Sequence, residues 1–223
     1  MGNKTILDQT QQKFLEFVLK EPYLLKRFYW TGGTVLSEFY LHHRESYDID
    51  LFSEDQEIHL PSVNKFISIV GHKMGARKII HKKFLGLQNF TLFLPKRELK
   101  VDFNYYPFKR INKSQNWKGL EYDSLEDITA NKIQTISTNA RERDFVDLYF
   151  IYKMKKFDLK KMIILTKTKF DWHIDPIQLG KTFLQVLNLH DVPKLLVPFE
   201  RDDMEKFFLG LSKDLAKDIF NNR

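Results

Sequence analysis

Apolar residues recur with two different spacings along the first half of this chain. A spacing of three to four residues is typical of helices, whereas strict alternation is typical of half-buried strands. The first spacing predicts helices over 5–20 and 22–27, a third after Gly33 and a fourth from Pro61 to Gly75. The second predicts strands at 28–30 and 47–52 and a meander or hairpin within 78–108. The first half is therefore expected to form a sheet accompanied by helices.

The second half shows only the helical spacing. A polar stretch at 109–119 separates the two halves and is the predicted domain boundary. Ser124, with Asp127 three residues later, signals the start of a helix that ends near Thr138. Further helices are predicted around Phe145 to Tyr152 and at about 158–168, 176–188 and 200–221. We therefore expect two domains, 1–110 and 120–223, of which the second is helical.

Composition narrows the class of protein. An apolar content of 43% is enough to bury an ordinary core. The first twenty residues carry scattered charges and no continuous apolar run, so they resemble neither a signal peptide nor a membrane span. A cytoplasmic, globular protein without membrane attachment is expected.

Charge and residue type also limit the partners. The chain has 36 basic and 29 acidic residues, a formal charge of +7, which favours RNA, DNA or a nucleotide, although a solvated basic surface gives the same excess. Without cysteine, any metal would be bound by oxygen or histidine ligands. His42 and His43 are interpreted as loop residues, because no third nitrogen ligand is spaced to join them.

The residues Gly32, Gly33 and Thr34 lie where a buried strand passes into a helix. Glycine lets the backbone approach a phosphate closely, and a helix N-terminus presents N–H groups and the positive end of the helix dipole. These three residues are therefore predicted to bind a triphosphate. Arg44, which follows the helix, is a candidate for a further phosphate contact.

Three acids lie in predicted strands. Asp48 and Asp50 occupy alternate positions, so their carboxylates share one face, and Asp102 lies between two apolar residues of a later strand. Neighbouring carboxylates repel each other unless a cation lies between them, and Mg²⁺ prefers such ligands. The acids are therefore predicted to bind Mg²⁺ with a nucleoside triphosphate (NTP) for in-line displacement. Alternatively, they are surface residues of half-exposed or edge strands.

The glycine and acid motifs together resemble a known signature. The segment 28–34, followed by Arg44 and then by 48–52, resembles the glycine-glycine and Asp-x-Asp signature of the polymerase-beta-like nucleotidyltransferase superfamily. The resemblance implies an α+β fold in which a mixed-sheet nucleotidyltransferase domain is followed by a C-terminal helical domain. It also implies that Asp102 is the third acid of the site. Many members have Gly-Ser where this chain has two glycines.

A later segment resembles one particular family within this superfamily. Lys132, followed by 141–149, is similar to the Lys…Arg-Asp-x-x-Asp-hydrophobic segment of the AbiEii/AbiGii-type nucleotidyltransferase toxins. These are the toxin halves of type IV toxin–antitoxin and phage-defence systems, so the resemblance implies an antitoxin partner. By this resemblance Lys132 and Asp147 match C-terminal active-site residues, and Lys132 also binds the nucleotide.

Other interpretations of the second motif stay open. Lys132 lies on the apolar stripe of its predicted helix, where a buried ammonium needs a partner such as a phosphate or Asp147. Alternatively, its stem passes the stripe and its ammonium reaches water. The charged residues of 141–149 would then be ordinary ion pairs, since Arg143 and Asp147 are four residues apart on a helix.

The prediction is a metal-dependent enzyme that moves a nucleoside monophosphate from an NTP to an acceptor hydroxyl and releases pyrophosphate. The toxin resemblance implies an RNA 3′ end as the acceptor, with tRNA the leading candidate. Two alternatives remain. One keeps the fold and changes the acceptor to a small molecule or a protein side chain, and the other is an inactive nucleotide-binding or protein-interaction module.

Overall fold

The structure, a computed structural model, describes residues 5–54, 57–171 and 175–221. Residues 1–4, the start of the segment that was interpreted as lacking a signal peptide, lie outside these ranges. Residues 222–223, the last two of the predicted helical domain, lie outside them as well. The chain divides into a sheet unit, Met1–Tyr40 with Ser46–Ser124, and a helical unit, Leu41–Glu45 with Leu125–Arg223. The two ranges predicted from the sequence remain a prediction of where separate domains begin and end.

The sheet unit combines strands with helices of the N-terminal half. Its strands are β1 (Tyr29–Thr31), β2 (Ile49–Ser53), β3 (Lys78–Phe84), β4 (Leu87–Phe93), β5 (Glu98–Tyr105), β6 (Gln115–Trp117) and β7 (Leu120–Tyr122). Its helices are α1 (Gln9–Val18), α2 (Pro22–Arg27), α3 (Gly32–Val35) and α4 (Leu60–Lys73). A π-helical segment, Leu36–Leu41, directly follows α3. These elements match the predicted ones to within a few residues, apart from β6 and β7.

The strands form one mixed sheet in the order β3-β4-β5-β2-β1-β7-β6. Strands β3, β4 and β5 run antiparallel, β2 lies parallel to β5 and antiparallel to β1, and β1 lies parallel to β7. The mixed sheet agrees with the fold class that the resemblance implied. The hairpin of β6 and β7 lies in and just after the polar stretch that the sequence indicated as a boundary. Its strands have three residues each, too few for alternation to show.

The two faces of the sheet differ in chemistry. On one face Leu51 of β2 and Phe103 of β5 are fully buried, and Phe28 packs edge-on against Phe103 with ring centroids 5.2 Å apart. On the other face Asp50 and Asp102 are half-buried. Because side chains alternate along a strand, burying the apolar face leaves the acidic residues on the more open face.

The helical unit contains the five remaining α-helices of the described ranges. They are α5 (Leu125–Asn139), α6 (Glu142–Lys155), α7 (Leu159–Phe170), α8 (Pro176–Phe183) and α9 (Arg201–Asn221), with a 3₁₀ segment at Leu184–Asn188. A fully buried ion pair connects α7 to α5, with Lys169 Nζ 2.8 Å from Asp127 Oδ1. Asp158 begins α7 by accepting hydrogen bonds from the backbone N–H groups of Lys160 and Lys161.

Within the described ranges, no helix combines the length and the hydropathy that a membrane-spanning segment requires.

Candidate active site

The glycine turn brings the backbone into contact with one of the acids. Gly32 has φ of +81°, and a Cβ atom built on it would lie 2.0 Å from Asp50 Oδ2. Thr31, the preceding residue, is paired with Asp50 across β1 and β2. A residue other than glycine at position 32 would therefore be strained and would also displace the carboxylate. The glycine is required here because the backbone lies directly against Asp50.

Thr34 connects the start of the helix to the acid-bearing strand. Its side chain is fully buried, and its hydroxyl donates to the carbonyl oxygen of Asp48 at 2.5 Å. The same hydroxyl lies 2.9 Å from Ser46 Oγ. The hydroxyl of Thr34 thus positions the chain that leads into β2. A phosphate contact by Gly32, Gly33 or Thr34 stays a prediction.

Asp50 and Asp102 lie directly side by side. They are register partners on the parallel strands β2 and β5, whose spacing is about 4.8 Å. The amide nitrogen of Asn89, on β4, donates to Asp102 Oδ1 at 2.5 Å. Asp48 lies one residue before β2 and is half-buried. The tertiary structure therefore pairs two of the predicted acids, which are about fifty residues apart in the sequence.

The donor atoms of this pair have the chemistry that a hard divalent cation requires. Asp50 and Asp102 present carboxylate oxygens, and their mutual repulsion is relieved when a cation lies between them. Among the described residues, however, there is no group of three His, Asp or Glu side chains arranged to hold a metal. The residues present fit a Mg²⁺ ion that takes its other ligands from phosphate oxygens and water, as Mg²⁺ at nucleotide sites usually does.

A further acid, Asp123, lies beside the glycine turn and was not singled out in the sequence. It is fully buried, and its carboxylate accepts a hydrogen bond from the hydroxyl of Thr31 at 2.5 Å. Its backbone N–H donates to Trp30, and its carbonyl accepts from the hydroxyl of Tyr40 at 2.8 Å. Asp123 therefore fixes the end of β1 from which the turn begins. The sequence signal available for Asp123 was its position directly before the predicted helix start at Ser124.

In the helical unit, Asp147 of α6 lies at the centre of a buried cluster of basic side chains. Arg44 binds both of its carboxylate oxygens, with Nε 2.6 Å from Oδ1 and Nη2 2.8 Å from Oδ2. Lys132 Nζ lies 2.6 Å from Oδ2, and His43 Nε2 lies 2.8 Å from Oδ1. Lys132 also contacts Asp144 at 2.7 Å. Lys132 and Asp147, which were predicted as active-site residues, therefore contact each other. Arg44, the predicted phosphate contact, lies beside them.

Burial and the neighbouring charges shift the pKa values of the acids and the histidine in this cluster. Burial alone would raise the pKa of Asp147, but the charges of Arg44 and Lys132 and the hydrogen bonds from Arg44 and His43 hold it well below its usual range. Burial also lowers the pKa of His43, against the opposing effect of its hydrogen bond to Asp147. The pKa of Asp144 is lowered as well, because Lys132 and Arg141 outweigh its burial. The cluster therefore contains ionised carboxylates and a histidine that favours its neutral form.

The cluster bears on the interpretations of Lys132 and His43. Lys132 is only 8% exposed and pairs with acids, so its ammonium does not pass the apolar stripe to reach water. His43 lies in a loop, as interpreted, but it is fully buried against Asp147, a contact that the sequence did not indicate. Arg143 is exposed, and its pairing with Asp147 stays a prediction. The catalytic and nucleotide-binding roles of Lys132, Asp147 and Arg44 stay predictions.

The chain has an α+β fold, in which a mixed seven-stranded sheet is followed by the helices of the second unit. Two solved structures resemble it over nearly the whole chain. JHP933 from Helicobacter pylori matches with a TM-score of 0.58 at 18% identity, covering 97% of this chain and 96% of that one. A second H. pylori protein, a candidate nucleotidyltransferase, matches with a TM-score of 0.58 at 17% identity, covering 97% of this chain and 99% of that one. At this identity the likeness concerns the fold alone.

The sequence itself determines the family. A family model described as nucleotidyl transferase AbiEii toxin, Type IV TA system, matches residues 14–220. The chain therefore belongs to the AbiEii family of nucleotidyltransferase toxins, as the two sequence motifs had indicated. A comparison with curated proteins finds no match.

Proposed function

We propose that this protein is a metal-dependent nucleotidyltransferase that transfers a nucleoside monophosphate from an NTP to the 3′ end of an RNA, with tRNA the leading candidate. The observation that carries the proposal is the contact between the Gly32 backbone and the Asp50 carboxylate, with Asp102 paired beside it. The glycine turn, which we propose to bind phosphate, and a pair of acids are thereby adjacent. Transfer of a nucleotidyl group needs both at one place.

In this proposal Gly32, Gly33 and Thr34 bind the triphosphate through the backbone at the start of the helix. The turn that contains them is held by the hydrogen bond of Thr31 to Asp123 and by that of Thr34 to the carbonyl of Asp48. A turn fixed from both ends keeps the nucleotide in one orientation, which lowers the entropic part of the barrier.

Asp48, Asp50 and Asp102 would hold Mg²⁺, which when bound supplies positive charge that balances the charge developing on the transferred phosphoryl group. The Asn89 amide holds Asp102 by a hydrogen bond that favours its ionised form, since an N–H donor stabilises a carboxylate. Asp50 and Asp102 lie on the more open face of the sheet, from which we propose that the acceptor approaches.

Lys132, Asp147 and Arg44 form the second part of the proposal. The carboxylate of Asp147 is fully buried, so we assign to it the positioning of the two cations rather than a contact with substrate. The side chain of Lys132 retains about a tenth of its surface and is the group proposed to meet a phosphate. Arg44 was predicted as a further phosphate contact, but its guanidinium is buried and bound to Asp147 and to the carbonyl of Glu45, so we propose that it acts through Asp147. Membership of a type IV toxin–antitoxin family also supports an antitoxin partner, and we place the reaction in the cytoplasm.

The test replaces Asp50 by Asn and measures transfer of each labelled NTP to total RNA in the presence of Mg²⁺. Loss of the charge should reduce transfer by about a thousandfold or more, because charge stabilisation at the reacting centre is lost. Glu98→Gln is the matched control, since Glu98 is an exposed acid on β5, the strand that carries Asp102. Full activity of Asp50→Asn would contradict the metal assignment.

The same labelling experiment tests the acceptor. Separating RNA, protein and small-molecule products shows which fraction carries the label. Label in protein or in a metabolite would replace RNA as the acceptor while leaving the nucleotidyltransferase chemistry in place. If no fraction is labelled, calorimetry with an NTP and Mg²⁺ distinguishes a nucleotide-binding module, which releases heat, from an interaction module, which does not.

A further inference from the structure

The row of polar side chains that contains the acid pair continues to the edge of the sheet. Asp50 pairs with Asp102, Asp102 with Asn89, and Asn89 with Lys82 on the outermost strand, β3. Register partners on adjacent strands point to the same side of a sheet. Lys82 and Asn89 therefore extend the row from the acids to the sheet edge on the more open face.

A second polar row lies beside the first. Lys100 of β5 pairs with Thr91 of β4. The parallel register that pairs Ile49 with Val101, extended by one residue, places Lys100 next to Asp48. Lys82 and Lys100 are exposed, and Asn89 and Thr91 are half-buried. We call these four residues, Lys82, Asn89, Thr91 and Lys100, the outer strip.

We propose that the outer strip binds the sugar-phosphate chain of the RNA acceptor just before its reacting 3′ end. This inference rests on the proposed function, since it concerns the substrate of the same site. In the reaction the 3′ hydroxyl oxygen forms a bond to the α-phosphorus of the NTP, the bond from that phosphorus to the pyrophosphate oxygen breaks, and the hydroxyl proton passes to solvent.

The direction of this displacement indicates where the acceptor lies. The attacking oxygen and the leaving oxygen are in line on opposite sides of the phosphorus. The glycine turn follows β1, on one side of the acid pair, and it is the proposed binding site of the triphosphate. The acceptor must therefore approach from the opposite side, across β5, β4 and β3, which is where the outer strip lies.

The chemistry of the outer strip suits RNA. Two ammonium groups neutralise phosphates, and the amide and hydroxyl of Asn89 and Thr91 are the kind of polar groups that hydrogen-bond a ribose 2′-OH. Phe84, two residues after Lys82 on the same face of β3, is 72% exposed, and an exposed aromatic ring gives a base a surface for stacking. No acidic residue lies in β3, so the edge is complementary to a polyanion.

The experiment compares two double variants that remove the same charge. Lys82→Ala with Lys100→Ala alters the outer strip. Lys83→Ala with Lys96→Ala is the control, because Lys83 is exposed on the other face of β3 and Lys96 lies in the exposed turn between β4 and β5. For each protein we would measure the KM for RNA and for the NTP, and the binding of a labelled single-stranded RNA at several salt concentrations.

The outer-strip variant should raise the KM for RNA by about tenfold and lower the slope of log affinity against log salt by about 1.4, or about 0.7 for each phosphate that is no longer neutralised. Its KM for the NTP and all values for the control should equal those of the unaltered protein. Equal behaviour of both double variants, or a rise in the KM for the NTP, would overturn the inference.

Failure of this inference is distinct from failure of the proposed function. If the unaltered protein labels RNA and the outer-strip variant behaves like the control, only the location of the acceptor is wrong. If the unaltered protein labels protein or metabolites and leaves RNA unlabelled, the RNA acceptor of the proposed function is wrong and this inference fails with it.

Discussion

Arg44 binds both carboxylate oxygens of Asp147, with Nε 2.6 Å from Oδ1 and Nη2 2.8 Å from Oδ2, although the two residues are 103 positions apart in the sequence. Both side chains are almost completely buried. A buried carboxylate is stable only with such partners, and Asp147 has Lys132 and His43 in addition. The segment Leu41–Glu45 belongs to the helical unit, to which it is also joined by backbone hydrogen bonds of His43 and Glu45 to residues 194–196.

Replacing Asp147 by Asn should strongly destabilise the helical unit. The amide keeps the shape of the side chain but leaves the charges of Arg44 and Lys132 buried without their shared anion. Removal of one partner from a buried ion pair typically costs about 3–5 kcal/mol in the free energy of unfolding. Denaturant unfolding measures this value. Asp214→Asn is the control, because Asp214 is 69% exposed and lies 3.5 Å from Lys217 in a surface pair, so its loss should change stability little.

The depressed pKa of His43 predicts a loss of stability in mild acid. The unfolded chain takes up a proton at this histidine near its ordinary pKa of about 6.5, whereas the folded chain does so only at lower pH. Between these two values the unfolded state binds more protons, so stability falls as pH decreases, by up to about 1.4 kcal/mol for each pH unit.

The stabilising contribution of Asp144 and Asp147 has the same sign but is lost in a lower range. Their folded pKa values lie below the ordinary ones, so this contribution is complete above about pH 5 and disappears only as pH falls through the folded values. Unfolding measured from pH 7 to pH 5 should therefore report mainly on His43. His43→Gln, which retains an amide donor for Asp147, should flatten this part of the profile. A variant profile as steep as the original would show that another group titrates there.

Gly32→Ala should remove activity and reduce stability together. The new methyl group would lie 2.0 Å from Asp50 Oδ2, and alanine disfavours the φ of +81°. We expect a loss of more than about 1 kcal/mol in the free energy of unfolding, with displacement of the carboxylate and loss of nucleotidyl transfer.

Gly210→Ala is the matched control for that substitution. Gly210 lies within α9, and a Cβ atom there would meet no other atom within 4 Å. Because alanine favours a helix more than glycine does, this change should raise stability by up to about 1 kcal/mol and leave transfer unchanged. Similar losses in both variants would mean that the close contact of Gly32 with Asp50 is not the cause.

Much of the fold was predictable because most helices and strands are long enough for the regular spacing of their apolar residues to be recognised. Helices α4 to α9 lie where apolar spacing and capping residues placed them, and the alternation around Asp50 and Asp102 indicated both strands. The exceptions are the short strands β6 and β7. Three residues are too few to establish alternation, and the pairing of β7 with β1, which joins the β6–β7 hairpin to the sheet, depends on a partner far away in the sequence.

The sequence indicated candidate residues, whose roles stay predictions, but it did not indicate the contacts between them. Gly32 and Asp50 were singled out by motif, whereas their contact requires the register of β1 with β2. Asp123 and His43 were missed as members of buried clusters. Neither belongs to a motif, and each has its role through a side chain contributed by a distant segment, Thr31 in one case and Asp147 in the other.

The sequence by itself determined the family, the type of chemistry and the order of helices and strands, because these depend on residue identity and on spacings of a few positions. The tertiary structure alone decided that Asp50 pairs with Asp102 and that Arg44 and Lys132 share Asp147. The physical reason is that strand register and the neutralisation of a buried charge are set by contacts between segments far apart in the chain. The sequence pattern of one segment does not indicate which distant segment supplies its partner.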